Sequence, residues 1–174
     1  MVQSAENKIS YNSLDLRIDN RTINEVRLTH RSFEKDLLID RIVFTGGGIF
    51  VIQYNEAKGM IDGSPERPVW LSEGDIRIKN PLHENEKKIS LLKEIIPPYF
   101  HDYIYSIVGF KKRVKLNVQG NHRDIEGNQW MLGENEIPEY IERVILKKNV
   151  LNNQPIKNHH LNILERGFVW MCQS

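Results

Sequence analysis

The sequence predicts an α/β protein in which helices flank a mixed central sheet. Short apolar segments recur along the chain and are separated by turn residues, as expected of β-strands. Two of these segments flank the triplet 46–48, GGG, which is a strong hairpin signal. Two longer stretches, 80–96 and 136–147, carry apolar residues at helical spacing. The order of strands, helix, strands and helix favours one mixed sheet covered by helices.

The central hairpin is predicted at Leu37–Thr45 and 49–55. Both faces of these two strands are apolar, which is typical of strands that lie in the middle of a sheet and are covered twice. The segment 22–30 alternates between apolar and polar residues and is predicted to be the preceding strand. Further strands are predicted at 14–18, 69–71, 76–78, 103–110, 114–118 and 130–132.

The first helix has clear start and stop signals. Asn80 is predicted to cap it and Pro81 to occupy its first position, and Pro97 with Pro98 ends it. A second helix is predicted at 136–147, followed by a last helix at 155–165 and a terminal strand at 168–171. The 174 residues fit a single domain, 1–174, with recognisable motifs in 40–96.

Composition narrows the functional classes. The net charge of +1 is not the basic balance of a dedicated nucleic-acid binder, although it allows a local basic patch. The single Cys172 excludes an internal disulfide and a cysteine-rich zinc site. The N-terminus lacks an apolar signal region, and no apolar run approaches ~18 residues, so we expect a cytoplasmic protein without a membrane partner.

Three polar residues interrupt the apolar pattern of the hairpin: Asp40, Gln53 and Asn55. Polar groups on buried strands are costly unless they are satisfied or used. Gln53 and Asn55 share a face because side chains alternate along a strand, and Asp40 lies opposite if the register allows. A carboxylate beside an amide oxygen is a ligand pattern for a hard divalent ion. In such a pattern a lysine two residues after the second ligand would stabilise charge at a phosphate. This chain has Asn55 at that position.

Several motifs in 40–96 occur in the order found in one known family. They are IDR at 39–41, GIFVIQ at 48–53, KG at 58–59, a tryptophan at 70 and NPLHEN at 80–85. The segment resembles the nuclease-related domain (NERD), a branch of the PD-(D/E)xK nuclease superfamily. This resemblance implies a restriction-endonuclease-like core, metal ligands at Asp40 and Gln53, and magnesium or manganese as cofactor if the protein is active.

The chain departs from this family pattern at positions that carry chemistry. Asn55 stands where the family has its catalytic lysine, and Glu84 stands where the family usually has Gln. The family's early acid has no clear counterpart before Thr22. The resemblance therefore implies a catalytic set of Asp40 and Gln53 together with Asn55 or Lys58. Lys58 has the opposite strand parity, so both are weak substitutes for the family lysine.

These departures favour a degenerate nuclease-related protein that binds nucleic acid or protein and has lost or weak phosphodiesterase activity. The alternatives are an active Mg²⁺- or Mn²⁺-dependent endonuclease and a purely protein-interacting module without a cofactor. The expected partners are accordingly DNA or RNA, or another protein. A bland structural alternative is that Asp40 and Asn55 only hydrogen-bond to strand ends.

A dense basic cluster, Lys111, Lys112, Arg113 and Lys115, is the candidate contact for nucleic-acid phosphates. The competing interpretation is a solvated turn between two strands, which charge runs usually are.

Overall fold

The structure is a computed structural model that describes residues 16–17, 20–28, 37–150, 156 and 162. In these residues nine strands form two mixed sheets, and two α-helices and two short 3₁₀ helices accompany them. The strands are β1 (Asn20–Leu28), β2 (Leu37–Thr45), β3 (Gly48–Asn55), β4 (Gly59–Gly63), β5 (Val69–Ser72), β6 (Ile76–Lys79), β7 (Ile104–Phe110), β8 (Val114–Val118) and β9 (Gln129–Gly133). The helices are α1 (Pro81–Ile95) and α2 (Ile137–Val150), with 3₁₀ helices at Pro98–Tyr103 and Glu134–Glu136.

The first sheet has five strands in the order β1-β2-β3-β7-β9. Strands β1, β2 and β3 are antiparallel neighbours, whereas β3, β7 and β9 are parallel. In this register Asn55 lies opposite Phe110, and Phe110 lies opposite Gly133. The last residues of β3, β7 and β9 therefore line up at one side of the sheet, which we call the carboxyl edge.

A second, four-stranded sheet has the order β6-β5-β4-β8. It forms because the chain bends after β3 and after β7, at 56–58 and 111–113, and then continues in β4 and β8, which again pair in parallel. The fold class predicted from the sequence is confirmed, but the sequence predicted one sheet and no strand at Gly59–Gly63. Only Ile61 supplies a fully buried large apolar side chain there, so the local signal is weak and pairing with β8 decides the structure.

Both faces of the five-stranded sheet are covered, as the doubly apolar pattern predicted. Ile49 and Val51 of β3 pack in a cluster with Leu92 of α1. Phe50 and Ile52, on the opposite face, pack in a second cluster with residues of α2. All four β3 side chains have no exposed surface. Strand β3 is thus a rigid element whose last residues are held in place by the buried part before them.

Helix α1 begins as predicted. The Asn80 side chain accepts a hydrogen bond from the Leu82 N–H at 2.9 Å, and Pro81 occupies the first turn. Within the described residues, no helix combines the length and the apolar character that crossing a membrane requires. The predicted helix at 155–165 and strand at 168–171 lie almost wholly outside the described residues, and Cys172 lies outside them.

Candidate functional site

Two of the three polar residues of the central hairpin, Asp40 and Gln53, meet where the β2–β3 ladder ends. Backbone pairing stops at Arg41 and Ile52, so Asp40 and Gln53 occupy the next opposed positions. At these positions hydrogen bonds to the Asp40 carboxylate replace backbone pairing between β2 and β3. Its Oδ2 accepts hydrogen bonds from the Tyr54 N–H, at 2.6 Å, and from the Gln53 side-chain amide. The structure therefore brings together the two residues that the sequence predicted as metal ligands.

The Gln53 amide links strand to helix. Its nitrogen faces Asp40, because an ionised carboxylate can only accept, and its oxygen accepts a hydrogen bond from the ammonium of Lys88 in α1. We call this arrangement the Asp40–Gln53–Lys88 chain. Lys88 was not singled out from the sequence. The available signal was a lysine four residues before the buried Leu92, on the inward side of an amphipathic helix.

Lys88 is half-buried, and its electrostatic surroundings work in two directions. Burial lowers the pKa of Lys88 below its ordinary value, because desolvation disfavours the ammonium. The nearby carboxylates of Asp40 and Glu84 act in the opposite direction and favour the charged form. The position thus holds a cation inside a partly desolvated site, where its attraction for anions is screened less than at the surface.

Asn85 fixes the helix that carries Lys88. Its buried amide nitrogen donates to Ser106 Oγ at 2.8 Å and to the Val51 carbonyl at 3.2 Å, so it ties α1 to β7 and β3. Its Oδ1 is buried without a partner in the described part of the chain. Lys88 follows one turn later on the same side of the helix. Glu84 pairs instead with Lys87 at 3.0 Å, close to the surface.

The two residues considered as substitutes for the family lysine lie elsewhere. Asn55 Oδ1 accepts a hydrogen bond from the Ala57 N–H at 2.8 Å, which stabilises the bend between β3 and β4. Lys58 is exposed, and its backbone carbonyl accepts from Ser72 Oγ at 3.0 Å. No hydrogen bond or ion pair of the described residues joins either side chain to the Asp40–Gln53–Lys88 chain.

The segment between β7 and β8, residues 111–113, begins beside this site, and we call it the basic turn. The Lys111 N–H donates to the Asn55 carbonyl at 3.2 Å, and the Lys111 ammonium pairs with Glu56 at 2.8 Å. Two cations lie over the Tyr54 ring: Lys111 Nζ is 5.6 Å and the Arg41 guanidinium carbon is 5.9 Å from the ring centroid. Burial raises the pKa of Tyr54, so its hydroxyl is protonated at neutral pH. The Tyr54 ring packs with Phe50 and Ile52, on the opposite face of β3 from Gln53. The Asp40 carboxylate still acts electrostatically on both Tyr54 and Lys111, so the first residue of the basic turn is near the site.

A groove of about 400 Å³ continues from this turn along the carboxyl edge. Lys112, Arg113 and Arg123 contribute to its lining. Arg123 forms two hydrogen bonds to the Glu136 carboxylate, at 2.9 and 2.7 Å, which hold its guanidinium in place. Lys115 is exposed on the other face of β8, opposite Met60. Three of the four cations proposed for phosphate contact thus lie at the carboxyl edge, and Lys115 does not.

Residues 3–111 match the sequence model of the nuclease-related domain, NERD. The chain belongs to the nuclease-related domain family. The resemblance inferred from the motifs in 40–96 is therefore confirmed, and the structure is consistent with a restriction-endonuclease-like core. No curated protein and no solved structure matches the chain. The matched segment contains the Asp40–Gln53–Lys88 chain but ends at the start of the basic turn.

Nuclease-related domains generally depend on a metal, and in this one the oxygen atoms expected to bind it belong to Asp40 and Gln53. Protein donors occupy only Oδ2 of Asp40 among the described residues, which leaves Oδ1 for an ion. The described residues contain no group of three or more acidic, His or Cys side chains that could hold a metal ion. Mg²⁺ can be held by one carboxylate with water and substrate phosphate completing its coordination. The residues therefore fit a single-carboxylate site at Asp40, which Gln53 could join only by turning its amide oxygen away from Lys88.

Proposed function

We propose that this nuclease-related domain binds nucleic acid along its carboxyl edge and that phosphodiester cleavage at Asp40 is weak or lost. The phosphate backbone would pass from Asp40, beside Tyr54 and Lys111, into the groove lined by Lys112 and Arg113. The observation that carries this proposal is the hydrogen bond from the Lys111 N–H to the Asn55 carbonyl, which joins the basic turn to the end of the strand that bears Gln53.

The charge distribution along the carboxyl edge supports nucleic acid as the partner. Cations at successive positions suit a polyanion, because each neutralised phosphate releases counterions. The groove continues the row of positive charge beyond Lys111, and Arg123 is held there by Glu136. The ion pairs of Lys111 and Lys112 with Glu56 are exposed, and exposed pairs are weak enough to exchange for a phosphate.

The single carboxylate at the site supports weak cleavage. A bound Mg²⁺ or Mn²⁺ would supply Lewis acidity at the phosphate and a more acidic bound water. Asp40 would hold it alone, since the Gln53 oxygen is bonded to Lys88 and a neutral amide adds no charge. Fewer charged ligands lower the affinity for a divalent ion. In this proposal the weak cleavage therefore follows from weak metal binding at Asp40.

The binding proposal is tested with the double variant Lys112→Gln/Arg113→Gln and the control Lys115→Gln, which changes a cation on the other face of β8. Fluorescence anisotropy would measure the affinity for labelled DNA and RNA oligonucleotides at several salt concentrations. We expect the double variant to bind nucleic acid at least about tenfold more weakly than wild type. The slope of its log affinity against log salt should fall by about 1.5, since each phosphate contact contributes ~0.7–0.9. Equal losses for the double variant and the control would contradict the proposed path.

An active endonuclease is the second candidate, favoured by Lys88 and by the open Oδ1 of Asp40. Wild-type protein and Asp40→Ala would be incubated with supercoiled DNA, linear DNA and RNA in Mg²⁺ or Mn²⁺. Weak cleavage predicts little product from either protein. Robust metal-dependent cleavage that Asp40→Ala abolishes would replace the first proposal with the second. If no nucleic acid is bound at all, the cations of the carboxyl edge serve another partner.

A further inference from the structure

A nuclease-related site with asparagine at position 55 still contains a cation, delivered from helix α1. We infer that Lys88 presents its ammonium to a nucleic-acid phosphate bound beside Asp40, in place of a lysine at position 55. This inference rests on the proposed function and adds to it the residue that contacts the phosphate nearest the carboxylate. It assigns a binding role to a side chain that lies outside the strand motif.

Position is the first argument. Lys88 reaches from the helix across to β3, where its ammonium bonds the Gln53 amide oxygen, and Gln53 in turn bonds Asp40. A long surface lysine normally stays in water because ordering it costs conformational entropy. Here the side chain is half-buried and directed at a polar strand end. Lys87, its neighbour in sequence, is instead 59% exposed and pairs with Glu84.

The rigid setting of the helix is the second argument. Asn85 ties α1 to the central strands, and Leu92 packs it into the core with no exposed surface. These two anchors bracket Lys88 in sequence, so its Cα cannot move far from Gln53. A cation held by packed neighbours binds an anion with less loss of entropy than a mobile one.

The third argument is that, among the described residues, only the Gln53 oxygen takes a donor of the Lys88 ammonium. An ammonium group has three N–H donors, and the Gln53 amide oxygen takes one of them. The remaining donors can bond phosphate oxygens without breaking the link to Gln53. The other two candidates lack this geometry, because Asn55 is bonded to Ala57 and Lys58 is exposed.

The test compares Lys88→Gln with the matched control Lys87→Gln, one residue away on the same helix, and with Lys88→Arg, which keeps the charge. Anisotropy with labelled single-stranded DNA is measured in EDTA, so that metal-dependent cleavage does not contribute. We expect about tenfold weaker binding for Lys88→Gln. Its salt slope should fall by about 0.7, the value of one single-strand phosphate contact. Lys87→Gln should match wild type, and Lys88→Arg should recover most of the affinity.

A second measurement needs no variant and therefore does not depend on Lys88→Gln folding correctly. Wild-type lysines are acylated briefly with and without the DNA oligonucleotide, and modified residues are quantified by mass spectrometry. Lys88 should be protected by the DNA, whereas Lys87 should react equally in both samples. Unchanged Lys88 reactivity, or DNA binding by Lys88→Gln with wild-type affinity and slope, would overturn this inference while leaving the basic groove intact. Absence of DNA binding by wild type would overturn both proposals.

Discussion

The two halves of β3 differ in burial and in the bonds that their side chains make. From Ile49 to Ile52 every side chain is fully buried, and alternate residues pack against α1 and α2. From Gln53 to Asn55 the strand is only half-buried, and its polar atoms bond to Asp40, Lys88 and Ala57. One continuous strand therefore serves as core at its start and as site at its end.

This difference shows what holds a polar site at the end of a buried strand. The backbone ladder between β2 and β3 stops at Ile52, and side-chain hydrogen bonds replace it beyond that residue. Burying a polar group is costly unless it is bonded, so the Asp40–Gln53–Lys88 chain satisfies the strand end on its β2 side. On its other side the strand end remains paired with β7 as far as Asn55. The buried apolar half stabilises the strand, and this stability keeps the polar side chains at its end in position.

The largest effect is expected from the apolar half. Ile52→Ala removes a side chain with no exposed surface and should destabilise the protein by ~2–5 kcal/mol through the cavity it leaves. Urea denaturation measures the change in unfolding free energy. Leu71→Ala, at a position 40% exposed in β5, should stay within ~0.5 kcal/mol and serves as control. A cost below ~1 kcal/mol for Ile52→Ala would remove the distinction between the two halves.

A smaller effect is expected at the contact that joins the halves through α1. Asn85→Ala leaves Ser106 Oγ without its buried donor and should cost ~1–3 kcal/mol. Ser90→Ala, on the exposed side of the same helix, should be nearly neutral. Chemical denaturation gives both values. If Asn85→Ala also leaves DNA affinity unchanged, then α1 does not position Lys88 and the role assigned to its anchor is wrong.

Asn55→Lys tests the polar end directly. It removes the Asn55–Ala57 bond of the bend and should lower stability by ~0.5–1.5 kcal/mol. Asn55→Asp keeps an oxygen at Oδ1 and should retain the bend. Because Lys88 already supplies a cation, we expect Asn55→Lys to raise metal-dependent cleavage little. A gain of orders of magnitude, measured on supercoiled DNA in Mn²⁺, would show that the strand position and not the helix limits activity.

The smallest expected effect concerns metal at Asp40. Millimolar Mn²⁺ should raise the melting temperature of wild type by a few degrees if it binds only the native state. Asp40→Asn should lose this rise, whereas Asp75→Asn, in the exposed turn between β5 and β6, should keep it. Thermal unfolding at matched ionic strength distinguishes them. An identical rise in all three proteins would remove Asp40 from any metal site.

Local pattern was enough to predict most of the fold. The hairpin at Leu37–Thr45 and 49–55 and the capped helix after Asn80 follow from apolar alternation and terminal signals. Strand β4 was not predictable, because its pairing with β8 depends on two distant bends. The site divides in the same way. Asp40 and Gln53 face each other through hairpin register, whereas Lys88 is 35 residues from Gln53 and reaches it only after α1 packs on the sheet.

The central claim is that the cation of this site comes from the helix and not from the strand. A crystal structure of the wild-type protein with Mn²⁺ and a non-hydrolysable single-stranded oligonucleotide tests it most directly. We predict that Lys88 Nζ lies roughly 3 Å from a phosphate oxygen beside Asp40 and that Asn55 still bonds Ala57. A bound phosphate beside Asp40 that is contacted by Lys58, with Lys88 bonded only to Gln53, would contradict the account.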